Sequence, residues 1–142
     1  MPFNPLPVVY TAAPSDPTGT TNTSGLMMGL AGSVTPNQTG RLFVMVTGNL
    51  ANGTIADGAK VRLRLGTGAA PANAGALAGT VYGKESITTA AGGAANDKVP
   101  FVVQAVITTL TVGTAYWIDI DLAAIVGGTA SATEVQISAL EV

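Results

Sequence analysis

A chain of 142 residues, 47% of them hydrophobic, fits one domain that buries about two-thirds of the surface its unfolded form exposes, with no need of disulfide or metal staples. Only 10% of the residues are charged, six Lys plus Arg against eight Asp plus Glu, which excludes an electrostatic footprint for nucleic acid. Cysteine and histidine are both absent, so thiol nucleophiles, imidazole bases and the two commonest transition-metal ligands are missing together, and no cofactor or metal is expected.

The first 25 residues differ from the rest. Pro2, Pro5, Pro7, Pro14 and Pro17 fall here, Asp16 is the single charge, and Thr18 to Ser24 is a Gly/Thr/Asn/Ser tract. Proline fixes φ and removes a backbone donor, so the segment is expected to be extended rather than helical or a central strand. At roughly 3.3 Å per residue it reaches about 80 Å, several times the ~13 Å radius of gyration of a domain this size. Phe3, Leu6, Val8, Val9 and Tyr10 make it too apolar for a segment that merely stays solvated and mark it as an arm that reaches a neighbour, with a disordered tail as the alternative. No basic stretch followed by an apolar run opens the chain, so no secretory signal is expected.

From Leu26 the pattern is β. Leu26 to Ser33 reads as a Gly-interrupted strand, and Thr35, Pro36, Asn37 and Gly40 as a turn. Arg41 to Leu50 carries Leu42, Phe43, Val44, Met45 and Val46 without a break, the mark of a strand covered on both faces. One face belongs to the core; the other makes Phe43 and Met45 candidates for a subunit interface, with cover by the arm or a loop as the alternative. Asn52-Gly53 and Asp57-Gly58 are turn dipeptides leading into a strand from Ala59 to Thr67. Gly66 to Gly79 reads as a loop or one short helical turn around Ala74 to Ala78, followed by short strands at Leu77 to Tyr82 and Lys84 to Thr89.

Ala90 to Lys98 is a polar loop, and Val99 to Leu110 is the longest predicted strand. The uncharged run Val99 to Ile118 has the length of a membrane span, but Pro100, Gln104, Gly113 and four threonines resolve it into strand, turn and strand, so no membrane partner is expected. Ala115 to Ala124 follows, then a Gly127-Gly128 turn and a last strand from Thr133 to Leu140.

Alternation across the strand puts Tyr116, Ile118, Ile120 and Leu122 on one face and Trp117, Asp119 and Asp121 on the other. Ala59 to Thr67 matches it, with Val61, Leu63 and Leu65 facing inward and Lys60, Arg62 and Arg64 outward. Opposite charges on outer faces predict that these two strands are neighbours, the charges forming a solvated cross-strand ladder. About eight strands and no convincing helix predict an all-β, antiparallel two-sheet sandwich, jelly-roll-like, over residues 26–142, preceded by the extended Pro-rich arm over 1–25.

Little here carries chemistry. Asp119 and Asp121 share a face and are the one close carboxylate pair, suited to calcium or glycosidic chemistry if they stand in a pocket, and to a plain ion-pair ladder if they do not. Trp117 beside them is the arrangement of a sugar platform, without a second Trp to complete it. Gly83-Lys84-Glu85-Ser86 fails as a phosphate loop, because Ala78 stands where the first Gly belongs and Glu85 where Ser or Thr must follow Lys. With no His to activate a Ser or Thr, an enzyme is not expected.

The runs Gly40 to Gly48 (GRLFVMVTG), Asp57 to Pro71 (DGAKVRLRLGTGAAP) and Tyr116 to Asp119 (YWID) resemble the small β-sandwich virion proteins of tailed bacteriophages, over about Leu26 to Val142. The resemblance implies a capsid decoration (cement) protein, a homotrimer held by the major capsid protein on the outer capsid surface, made in the host cytoplasm and stabilising the shell, with the arm from Met1 to Ser24 lying across the capsid or a sister subunit. Its alternative is a head-fibre or tail-spike module that binds host-surface glycan through Trp117, Asp119 and Asp121. The chain has no coiled-coil or collagen-like stalk, which favours decoration over fibre.

Overall fold

A computed structural model describes residues 6–89 and 94–142, so Phe3 of the predicted arm lies outside the described residues. The nine strands are β1 (Val9–Ala12), β2 (Leu26–Met27), β3 (Gly32–Val34), β4 (Leu42–Asn52), β5 (Gly58–Gly66), β6 (Thr80–Thr89), β7 (Val99–Ile107), β8 (Tyr116–Ala124) and β9 (Ala130–Glu141). One sheet runs β1-β9-β4-β7 and the other β2-β8-β5-β6, with β3 also on β8, and every ladder is antiparallel. With β2 and β3 taken as one broken strand, first pairs with last, second with second-last, and so on inward to the β5–β6 hairpin. That nesting is a jelly roll, and the predicted two-sheet sandwich is the fold observed.

The core lies between the sheets. Leu42, Val44 and Val46 of β4, Phe101 and Val103 of β7, and Val135, Ile137 and Ala139 of β9 face Val61, Leu63 and Leu65 of β5 and Ile118, Ile120 and Leu122 of β8. These are the inward sets that period-two alternation predicts. Burying one such aliphatic side chain contributes about 1.5–3 kcal/mol, so the two inner faces supply the main drive to fold.

Two departures from the sequence reading have local causes. The predicted strand from Leu26 to Ser33 is broken, because Gly29 (φ 69°) and Ala31 (φ 52°) turn left-handed between its halves. There the backbone amides of Gly29 and Leu30 donate to the Asp119 carboxylate instead of to a ladder. The two short strands expected around Gly83 are one strand, β6, carrying a bulge: Val61 faces Ser86 but Leu63 faces Tyr82. Gly83 (φ 73°) permits the kink, and a Cβ there would meet the Gln104 carbonyl at 2.2 Å. Of the two readings of Gly66 to Gly79, the loop is the one observed: Ala74 donates to the Met27 carbonyl and Met27 to that of Gly75, stitching the β5–β6 loop to β2.

The outer face of β4 also differs from the expectation of cover on both sides. Phe43, Met45 and Thr47 alternate with the buried Leu42, Val44 and Val46 and remain half-exposed. As for the predicted arm, residues 9–12 complete the first sheet of their own chain as β1 on β9, and Thr20 bridges Ala130 further along. The uncharged run from Val99 is β7, a turn and the start of β8, and no helix among the described residues is long and apolar enough to cross a membrane.

Candidate functional site

The outer face of the second sheet gathers the residues for which the sequence allowed chemistry. Register sets Arg62 opposite Asp121 and Arg64 opposite Asp119, so the predicted pairing of these two strands is present. The predicted solvation is not. Asp119 and Asp121 are buried, and Arg64 nearly so. The cover comes from the chain itself: Gly25 and Leu77 lie over the Arg62–Asp121 pair, and the β5–β6 loop closes the far side.

Asp121 is the hub. Arg62 Nε donates to its Oδ1 at 3.0 Å and Arg64 Nε to its Oδ2, while Glu85 stands 3.8 Å from Arg62 at the solvent edge. Arg64 spends its remaining reach on the carbonyls of Ala78 and Gly79, at 3.1 and 3.3 Å. The Arg64 guanidinium therefore fastens the loop to the sheet, while that of Arg62 links β5 to β8 and β6. Asp119 turns the other way, accepting from the amides of Gly29 (2.9 Å), Leu30 (3.1 Å) and Ile120 (2.8 Å). Burial lifts its pKa to about 6 despite those three donors, and the neighbouring Asp121 charge adds to the lift.

Trp117 is buried at the end of the same face. Its indole N–H donates to the Thr67 carbonyl at 3.3 Å, and its ring lies against Gly66 and Gly79. A Cβ on Gly79 would come within 2.4 Å of the ring, so the glycines are there to let the loop lie flat on the indole. The expected platform is thus a wall of the protein's interior. Trp117, Asp119 and Asp121 offer a sugar no exposed surface, which corrects the glycan-binding expectation for these three residues.

Two further carboxylates tie loops in a way the sequence reading misses. Asp57 accepts from the amides of Gly58, Val126, Gly127 and Gly128, joining the β4–β5 and β8–β9 turns; burial opposes its ionisation, but the four amides together hold it well below the usual carboxylate range. Glu141 accepts from Asn37, Gln38 and Thr39, and from Val8 at 3.3 Å. Burial again works against the charge, and the amide donors prevail, lowering its pKa to about 2. The signal for Asp57 is present in the sequence: a lone acid before Gly58, with the Gly127-Gly128 pair to supply bare amides. Glu141 carries no such mark.

Of the predicted arm residues, Val8 and Tyr10 are half-buried against the core of their own domain, while Leu6 and Val9 are exposed. Among the described residues no group of three acidic, His or Cys side chains is placed to hold a metal. A cavity of about 360 Å³ lies at the tip formed by Thr54, Ile55, Asp57 and Val126 to Gly128, but its one charged group is fully engaged by backbone amides.

No family model matches the chain, and no curated protein matches it. Solved structures do. A chain of the infectious bursal disease virus Gx strain structure is 14% identical over 96% of this chain and 33% of that one, with a TM-score of 0.56. The VP2 subviral particle of the same virus is 14% identical over 95% of this chain and 37% of that one, TM-score 0.46. The C-terminal domain of EclA, a sugar-binding protein, is 15% identical over 95% of this chain and 80% of that one, TM-score 0.38. This chain spans about a third of the length of either viral match, and of the three only the first exceeds a TM-score of 0.5, where the likeness is one of fold.

Proposed function

We propose that this chain is a structural virion protein, a capsid decoration (cement) protein that binds the outer surface of an assembled phage capsid and stabilises it. One observation carries the reading. The groups that offered chemistry, Arg62, Arg64, Asp119 and Asp121, are consumed by one another and by the chain's own loops, and what remains outward on the first sheet is an uncharged surface with an apolar row. Such a surface suits permanent contact rather than turnover of a substrate. The jelly-roll fold, shared with a chain of a virus structure, is compatible with that role.

Mechanistically, a subunit that binds only the assembled lattice stabilises it by mass action, by about 2.7 kcal/mol per site at a hundredfold excess over Kd. Contact with the major capsid protein falls to Leu6 and the residues before it, since Val8 and Tyr10 are spent on their own domain. The test is calorimetric melting of the capsid with and without this protein, and with a version lacking residues 1–6, which spares Val8. Stabilisation that is lost with the deletion supports the reading. An unchanged melting temperature at full occupancy refutes it.

A further inference from the structure

The two sheets treat their outer faces differently. That of the second is roofed by residues 25–30 and 66–79 and carries the ion pairs; that of the first has no such roof among the described residues. Across the bare face, register aligns Val9 of β1, Leu140 of β9, Phe43 of β4 and Val106 of β7 in one row. Val9 is 68% exposed, Leu140 41% and Val106 59%, with Phe43 half-exposed between them. The next row is Thr11, Ser138, Met45 and Gln104, and the one after it brings Gln136, Thr47 and the exposed Val102. No charged side chain stands in these rows, which lie between Arg41 at one end and Glu134 at the other.

We infer that this face binds a second copy of the same chain, first sheet against first sheet about a twofold axis. An uncharged surface is its own complement: two copies meet with no like charges opposed, whereas a basic or acidic partner gains nothing from it. The area is sufficient. Strands about 4.8 Å apart, rising about 3.3 Å per residue, give the face a plane of about 500 Å², so two copies cover about 1,000 Å² before side-chain relief is added, which meets the threshold for a specific interface. The apolar row supplies the dry centre, Phe43 its aromatic anchor, and the Thr, Ser and Gln rows the polar surround. This deepens the reading of the chain as an assembling subunit, and it names a twofold pair where the family resemblance implies a trimer.

Light scattering on the isolated full chain over a range of concentrations tests the proposal without any capsid, so its outcome is separate from that of the capsid melt. The expected mass is that of a dimer. V106E, placing a charge in the row at a site that is already mostly exposed, is expected to give a monomer with an unchanged circular dichroism spectrum and melting profile at low concentration. I87E, on the second sheet at a residue 56% exposed, is expected to leave the dimer intact. A monomeric or trimeric wild type, a dimer indifferent to V106E, or dissociation by I87E as readily as by V106E would each overturn the assignment.

Discussion

Replacing Asp121 by Asn is the sharpest probe of the covered charge cluster. The substitution keeps the shape and removes the charge that two guanidinium groups share. Arg62 retains Glu85 at 3.8 Å and partial access to water, so its loss is small. Arg64 is buried and keeps only two loop carbonyls, neither of which carries a countercharge. Breaking a buried pair by removing one partner costs about 3–5 kcal/mol, against about 0–1 for an exposed pair. With a urea m-value of about 2 kcal/mol/M, a cost near 4 moves the unfolding midpoint down by about 2 M. Trp117, the one tryptophan, lies on the same face and reports the transition by fluorescence. A midpoint shift under about 0.5 M would mean that the cluster is solvated, and would refute the account of the roof. Replacing Arg62, Arg64 and Asp121 together by apolar residues of similar volume is expected to cost far less than D121N alone, because no charge is then stranded.

The pH dependence follows from Asp119. Its pKa is raised from 3.8 to about 6 in the fold, so the folded state holds the proton more tightly than the unfolded chain, and this group's contribution to stability falls as pH rises from about 4 to 6. The shift corresponds to about 3 kcal/mol, which D119N removes; urea midpoints of the two proteins at pH 4 and pH 7 are expected to differ in slope by that amount. Glu141 acts oppositely, its stabilisation present above 4.5 and lost as pH falls toward about 2, so a wild-type profile that declines on both sides is the expected shape. G79A forces a side chain onto a backbone at φ 68° and against the Trp117 ring, and is expected to cost about 2 kcal/mol and lower the melting temperature by about 8 °C. An unchanged melt would show that the loop does not rest on the indole.

Much of the sandwich was legible from one-dimensional pattern. Val61, Leu63 and Leu65, like Ile118, Ile120 and Leu122, alternate with polar neighbours, and a period of two has a single structural meaning when one face is buried. The pairing of their strands followed from charge sign alone. What alternation cannot reveal is a third layer. Lys60, Arg62 and Arg64 opposite Asp119 and Asp121 look the same in sequence whether water or the chain's own loops lie above them. The information that decides it is distributed over Gly25, Gly29, Gly66 and Gly79, whose bare backbones allow residues 25–30 and 66–79 to approach the sheet. Read singly, each is an ordinary loop glycine. Phe43 and Met45 mislead in the opposite sense, because an unbroken apolar run implies cover on both faces, and their side of β4 is left half-exposed.

The nested strand order has a consequence during synthesis. Only β5 and β6 are a local hairpin; β4 must wait for β7, the broken β2–β3 strand for β8, and β1 for β9. That order predicts pairing from the middle outward, with β1 without its native partner until β9 has been made. Until then Val8, Tyr10, Leu26 and the inner face of β4 stand open to solvent in a polypeptide with little charge to keep neighbours apart. High sequence separation between partners slows folding and prolongs that exposure, so the nascent chain is at greatest risk of aggregation while it is being made.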